Sequence, residues 1–397
     1  MVEWKEYRIK DLGEVVTGNT PPTSNREYYG TEYKFIKPTD MVEGQRFVST
    51  TEEYYSELAY QKYKKCLLPP KTPCVVTIGS LGKKMCLTDT ECFTNQAVNA
   101  VIPNKENDGE FLYYAFKASV LAYVKQLDSG TTSGRENVSK SSFSKIKVRV
   151  PPLPTQQKIA SILSVYDKLI QNYKKQIQAL QTAASELYKE WFVRFRFPGY
   201  KNSRFENGIP EGWKVEKLFD VAKIIYGYPF NSDEFCDDSS LNPVVRIRDI
   251  LDNYTNTYTS ETCDEKYWIN PNEMLIGMDG IFHMSLWTGK RALQNQRTVR
   301  VTSKVKNLSN YYLYFSLYPQ IKALEQMIVG TTVAHLGDKH LKKITILIPE
   351  DKILKMSFER LEPIMNRIYS LQQQITNLTQ QRDLLLPRLM SGKLEVE

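Results

Sequence analysis

Apolar residues return at spacings of four and three through one long stretch of the chain: Ile159, Leu163, Tyr166, Ile170, Tyr173, Ile177, Leu180, Ala184, Leu187 and Trp191. That period predicts a continuous helix with a single apolar seam. A second stretch carries the same seam in Leu361, Ile364, Ile368, Leu371, Ile375, Leu378, Arg382, Leu385 and Leu389, each 198 positions after its counterpart. Only Arg382 breaks the apolar rule, opposite the small Ala184 in the alignment. Pro363 is expected to end or kink an initial helix over residues 352–362, whereas Pro387 lies near the far end, where a kink is tolerable. A compact domain of about 150 residues rarely offers a flat surface long enough to bury such a stripe, so the two helices are expected to pair with each other. Connectivity makes the pair antiparallel, because the first helix leaves one globular part for the next and the second can only return. From Ile159 to Trp191 a straight helix spans about 48 Å at 1.5 Å per residue. That length corresponds to roughly 14 base pairs of duplex at about 3.4 Å per step.

Before each helix the pattern is different. Short β-rich runs, Phe35 to Lys37, Cys74 to Ile78, Met85 to Thr88, Ala97 to Ile102 and Lys145 to Val150, are separated by Gly, Pro and Asp/Asn-rich turns and interrupted by one amphipathic helix near Glu110 to Gln126. The second half repeats them as Val244 to Ile247, Met274 to Ile276, Met284 to Trp287 and Val299 to Thr302, a helix near Tyr311 to Ile328, and Ile344 to Ile348. The repeat is also visible residue by residue. Trp4-Lys5-Glu6-Tyr7-Arg8-Ile9-Lys10-Asp11 returns as Trp213-Lys214-Val215-Glu216-Lys217-Leu218-Phe219-Asp220, and Gly18 pairs with Gly227 at the same offset of 209. Ile78-Gly79-Ser80-Leu81-Gly82 matches Ile276-Gly277-Met278-Asp279-Gly280 at 198, while Asn95-Gln96 and Gly130-Thr131-Thr132 match Asn295-Gln296 and Gly330-Thr331-Thr332 at 200. Drifting offsets place the length changes in loops. The expected fold is α+β: two similar domains, 1–150 and 198–349, each followed by a long helical segment, 151–197 and 350–397, in a pseudo-two-fold internal repeat.

Composition narrows the function. Lys plus Arg number 53 against 45 Asp plus Glu, a formal net charge of +8 and a pI near 8.9. A modest basic excess is compatible with a nucleic-acid partner without requiring one. The apolar runs are far shorter than a membrane span, and the first ten residues are too charged for a signal peptide, which points to the cytoplasm. Six cysteines without a C-x-x-C pair and three histidines argue for reduced thiols and against a structural zinc site, so no metal is predicted.

Pro151-Pro152-Leu153-Pro154-Thr155-Gln156-Gln157-Lys158-Ile159-Ala160 followed by Ile162-Leu163 resembles the start of the central conserved region of Type I restriction-modification specificity (S) subunits. Leu187-Tyr188-Lys189-Glu190-Trp191-Phe192 is similar to the end of that region, and Leu384-Leu385-Leu386-Pro387-Arg388-Leu389-Met390-Ser391-Gly392-Lys393-Leu394 to the C-terminus of the family. The resemblance covers the whole chain, in the order target recognition domain, helix, target recognition domain, helix. One departure is Ile348-Pro349-Glu350-Asp351-Lys352, where the Pro-Leu-Pro-x-Gln-Gln pattern of the first copy is degraded. The resemblance implies a non-catalytic subunit that recognises a bipartite, asymmetric double-stranded DNA target, with the coiled coil as spacer. It further implies methyltransferase (M) subunits docked on the helices and restriction (R) subunits joining them. S-adenosylmethionine, ATP and magnesium would then belong to those partners and no cofactor to this chain. A two-headed coiled-coil scaffold that binds proteins is the rival of a different class.

Catalytic motifs are missing from the sequence. There is no Asn/Asp-Pro-Pro-aromatic motif of an adenine methyltransferase and no Gly-x-Ser-x-Gly elbow, and Gly79-Ser80-Leu81-Gly82-Lys83-Lys84 lacks the spacing and final Ser/Thr of a phosphate loop. That segment reads as a hairpin turn, with Lys83 and Lys84 as phosphate contacts in the functional alternative. Reading bases requires Arg, Lys, Asn or Gln at exposed edges, and phosphate contacts require basic or hydroxyl groups. In the first copy the candidates are Thr131, Thr132, Arg135, Asn137 and Lys140; in the second they are Thr331, Thr332, His335 and Lys339, together with the polar-basic cluster Lys290, Arg291, Gln294 and Arg297. The threonines could equally satisfy the backbone of a turn. Lys37, Arg246 and Arg248 stand close to an Asp in sequence and could form local ion pairs. Asn95-Gln96 and Asn295-Gln296 fit either adenine reading or buried amides bonded to the backbone.

Overall fold

β-Branched and aromatic runs pair into the same two sheets in both halves of the chain. The computed structural model describes residues 3–127, 137–328 and 334–396. It divides into two compact units, residues 1–171 with 378–397, and residues 172–377. The dividing points fall inside both long helices, so each unit owns part of each helix.

In the first unit, Gly13–Thr17, Val98–Pro103, Pro73–Val76 and Met85–Leu87 form, in that order, an antiparallel sheet. Glu53–Tyr55, Tyr29–Ile36 and Cys92–Thr94 form a second sheet whose last pair is parallel, with Phe35 opposite Phe93. Lys5–Arg8 closes the domain against Lys147–Val150, a strand whose residues alternate between exposed and buried as a half-covered edge requires. The helix after the sheets runs as Gly109–Ala115, a π-helical turn at Phe116–Val120, and Leu121–Gln126. Its Phe111, Leu112, Phe116, Val120 and Val124 join Val75, Leu87 and Val101 in one core, and Ile159 and Leu163 of the first long helix and Leu386 and Leu389 of the second complete it.

The second unit repeats this plan. Ala222–Tyr226, Thr298–Ser303, Met274–Gly277 and Met284–Leu286 form the antiparallel sheet, and Tyr258–Thr259, Asn242–Val245, Ala292–Gln294 and Trp268–Ile269 form the mixed one. Lys214–Lys217 closes against Thr345–Ile348. The helix Asn310–Ile328 lies over this core, which also holds Ala184 and Trp191 from the first helical segment and Leu361, Met365 and Ile368 from the second.

The long helices are Leu153–Tyr188, prolonged by a π-helical turn at Lys189–Val193, and Asp351–Met390. Pro363 does not end the second helix, which runs through it to Met390. A proline inside a helix removes one hydrogen bond and crowds the preceding turn, but Leu361 and Met365 on either side are buried and the core holds the segment helical. Within each unit the two segments run antiparallel. In the first, Arg382 reaches Asp167; in the second, the Arg360 guanidinium lies 5.4 Å from the ring centre of Trp191.

Arg382, the one polar member of the seam, is 7% exposed. Its Nη1 donates to Asp167 Oδ1 at 2.6 Å, and the other oxygen of that carboxylate accepts from Tyr114 Oη at 2.5 Å. Arg46 Nη1 donates in turn to Tyr114 Oη, and Arg46 Nη2 to Glu110. This polar chain ties the globular part of the first unit to both helices.

The Pro-Leu-Pro-x-Gln-Gln motif also has a local explanation. Gln156 is buried, its Oε1 accepts from Asp108 N at 2.9 Å, and its Nε2 donates to Pro151 O at 2.9 Å and to Asn107 Oδ1 at 3.1 Å. One side chain clasps the helix entry to the loop that precedes Gly109–Ala115. The second copy has Leu354 at the matching place, so that clasp is replaced by apolar burial.

Replacing Arg382 with Ala leaves the Asp167 carboxylate buried without its cation and should cost about 3–5 kcal/mol of stability. The double change with Asp167→Ala should cost clearly less than the sum of the two single changes. Denaturant unfolding of the four proteins measures both quantities, and additive losses would show that the two charges are not coupled.

Candidate nucleic-acid interface

Three loops meet at one end of each antiparallel sheet. In the second unit they are the turn at 278–283 between Met274–Gly277 and Met284–Leu286, the turn at 295–297 before Thr298–Ser303, and the loop that resumes at Ala334. Backbone bonds lace them together: Met278 N donates to Arg297 O at 2.9 Å, Leu336 N to Met278 O at 2.7 Å, and Gly280 N to Ala334 O at 2.9 Å. The first unit repeats two of these bonds, Thr77 N to Ala97 O and Val138 N to Thr77 O, both at 2.8 Å.

This lacing corrects one part of the sequence alignment. Strand Pro73–Val76 corresponds to Met274–Gly277 and Met85–Leu87 to Met284–Leu286, so the turns compared are 77–84 and 278–283. Gly79 (φ 87°), not Gly82, is the counterpart of Gly280 (φ 69°), and both need the left-handed conformation that glycine adopts freely. A second pair of glycines is fixed by close approach. A Cβ on Gly18 would stand 2.1 Å from Thr94 O and one on Gly227 1.9 Å from Asn295 O, so no larger residue fits beneath either Asn-Gln turn.

The candidate residues divide sharply. Thr131, Thr132, Arg135, Thr331 and Thr332 lie outside the described residues. Asn137 bridges Ile78, and Lys140 is exposed at the start of the short helix Lys140–Lys145, which Ser139 caps by accepting from Ser142 N. Lys83 is exposed on its turn, but Lys84 is half-buried with its ammonium 2.8 Å from Pro38 O. Lys339 is exposed on Asp338–Leu341. His335 Nδ1 lies 2.6 Å from Asp279 Oδ1, and Arg297 Nη1 lies 3.5 Å from Asp279 Oδ2. Neighbouring His340 accepts from Gly337 N at Nδ1, and burial, followed by Lys339 and Lys343, lowers its pKa and favours the neutral ring.

The cluster of Lys290, Arg291, Gln294 and Arg297 does not hold together as expected. Arg291 precedes strand Ala292–Gln294 and Arg297 follows it, so they stand at opposite ends. Arg291 pairs with Glu265 and lies 4.3 Å from the ring centre of Trp268. Lys290 is exposed, and its carbonyl accepts from Trp287 Nε1 at 2.8 Å. Gln294 is completely buried, with Nε2 donating to Ile225 O at 2.9 Å and Thr298 O at 3.2 Å. It holds the sheet and cannot reach a duplex.

Other polar repeats are also structural. Lys37 N donates to Asp40 Oδ2 at 2.7 Å and Arg246 N to Asp249 Oδ2 at 2.9 Å, so the repeated aspartate closes the turn after the strand. Lys37 pairs with Glu52 and Glu53. Asn95 Oδ1 accepts from Ala97 N at 3.1 Å. Asp279 is not among the residues expected from the sequence, because a carboxylate repels a polyanion. The only sequence signal for it was its place beside Gly280 in the repeated turn.

Comparison with known proteins agrees with this plan. Residues 1–182 and 210–380 match the model of the Type I restriction modification DNA specificity domain, and the chain belongs to that family. Over 416 residues, all of this chain and 94% of the other, it is 29% identical to the Type I restriction enzyme MjaIX specificity subunit of Methanocaldococcus jannaschii. It is 35% identical over 174 residues to the HindI specificity subunit of Haemophilus influenzae, which covers 43% of this chain and 37% of that protein. Among solved structures, the S subunit of a Type I restriction-modification system from M. genitalium shares the fold, with a TM-score of 0.63 and 16% identity over 98% of this chain and 96% of that one.

Two substitutions separate structural from surface roles. Gln294→Ala should lower the melting temperature while leaving DNA preference unchanged, since it removes two buried hydrogen bonds, each contributing about 1 kcal/mol. Lys339→Ala should leave the melting temperature in place, weaken DNA binding across all sequences and reduce the logarithmic salt slope by about one. Thermal unfolding and salt-titrated binding check the pair.

Proposed function

We propose that this chain is the DNA-reading specificity subunit of a Type I restriction-modification complex, and that it directs adenine methylation and cleavage performed by partner subunits. Each target recognition domain reads one half of an interrupted target, and the helical segments serve as spacer and as the docking face for methyltransferase (M) subunits. Restriction (R) subunits join that assembly. S-adenosylmethionine, ATP and magnesium belong to the partners, and the work is done in the cytoplasm.

The observation that carries this reading is the repeat of one three-loop end on two domains with different side chains on it. A shared frame explains why both ends address the same polymer, and differing loops explain why their half-sites differ. The net charge of +8 suits a polyanionic ligand. Membership of the Type I restriction modification DNA specificity domain family supports the reaction context. No helix of the described residues is long and apolar enough to cross a membrane.

Methylation mapping of the host genome with and without this gene tests the proposal. The expected result is loss of methylation at a single two-part, asymmetric adenine motif when the gene is removed. An unchanged methylation map in a strain whose partner genes are expressed would contradict it.

A further inference from the structure

The two domains fill their matching three-loop ends with different chemistry. Backbone lacing and the isolated bridges fix which residues correspond: Ile78 with Asp279, Ala97 with Arg297, and Asn137 with His335. An apolar and neutral set in the first domain stands against a charged set in the second.

We propose that Asp279, Arg297 and His335 form one reading unit, in which Arg297 presents its guanidinium to the O6 and N7 of a guanine in the half-site of the second domain. Asp279 is the positioning residue that aims it. This assignment deepens the DNA-reading function proposed above and rests on it.

The geometry separates Arg297 from Arg291 and Arg300, its neighbours in sequence. Arg300, three residues on, is buried and gives its guanidinium to Glu273, Trp268 O and Lys266 O. Arg291 is held by Glu265 and the Trp268 ring. The Arg297 side chain is 59% exposed, and its backbone takes the left-handed conformation at φ 65°, which residues bearing a Cβ adopt at a cost. A turn that keeps a long cationic side chain in that conformation at the surface holds it toward solvent.

Asp279 is anchored before it acts on Arg297. An ionised carboxylate can only accept, so the 2.6 Å contact makes His335 Nδ1 the donor and fixes Asp279 Oδ1. The remaining oxygen, Oδ2, stands 3.5 Å from Arg297 Nη1, close enough to attract the guanidinium but beyond a good hydrogen bond, so the donor fork remains available. His335 Nε2 is left as a second polar contact on the same surface.

The nearby carboxylate also decides between a base and a phosphate. A phosphate brought to Arg297 would meet the Asp279 charge at close range, whereas a guanine edge carries two acceptors and no charge. An adenine edge offers one acceptor and one donor and does not match the fork.

Selection from randomised duplexes tests the assignment, with the full chain co-expressed with its cognate methyltransferase subunit as wild type, Arg297→Lys and Asp279→Asn. Lysine keeps the charge but lacks the planar fork. Arg297→Lys should reduce preference for a guanine at one position of one half-site by roughly five- to hundredfold, with the other half-site and the salt slope unchanged. Asp279→Asn should weaken preference at that same position by a smaller factor. Equal loss of affinity for all sequences, an unchanged motif in both variants, or loss at both half-sites would each overturn the assignment. If the wild-type complex selects no motif at all, the DNA-reading function itself falls, and the assignment with it.

Discussion

Neither globular unit closes its core with the contiguous stretch of chain that forms its sheets. The first needs Ile159 and Leu163 from one helix and Leu386 and Leu389 from the far end of the sequence; the second needs Ala184 and Trp191 together with Leu361, Met365 and Ile368. Helix pairing is therefore part of the folding of each domain. The buried Arg382 makes one register of that pairing specific, because its guanidinium is tolerable in the interior only where Asp167 faces it. An apolar residue there would permit slippage along the seam, as a single buried polar position forbids in paired helices generally.

On that frame, the parts that must stay fixed and the parts free to vary are separated. The loop ends are held by backbone hydrogen bonds, which are indifferent to side-chain identity, and by glycines pressed against the Asn-Gln turns. Side chains on the loops can then change without moving the loops. Ile78 and Asp279, or Ala97 and Arg297, occupy matching backbone positions with opposite chemistry. Such a division lets one fold address many DNA sequences, since positioning and reading draw on different atoms.

Much of this was legible in the sequence, and what was not has physical reasons. The repeat, the heptad seam, the principal strands and the helix after them follow from periodicity, which burial imposes directly. Gly13–Thr17 and Ala222–Tyr226, each an outer strand of its antiparallel sheet, and the short strands Lys5–Arg8 and Cys92–Thr94 escaped because pairing with distant partners, not local pattern, makes them strands. That the helix continues through Pro363 was not legible, because the proline's local cost is visible in the sequence and the packing of Leu361 and Met365 is not. The glycine turn was misaligned because Gly79 and Gly82 both fit the pattern and only strand register distinguishes them. Gln294 and Arg297 looked alike as polar neighbours, yet one points into the sheet and the other ends its turn. The role of Gln156 as a clasp was hidden because three of its four partners, Glu106, Asn107 and Asp108, lie on another segment.

The central claim is that one repeated frame carries two independent readers. Its most direct measurement is the methylation motif set by a hybrid chain in which residues 198–349 are replaced by the corresponding domain of a relative with a different target. The account predicts a motif with one half taken from the relative and the other retained unchanged. A hybrid that assembles and methylates but alters both halves, or neither, would contradict it.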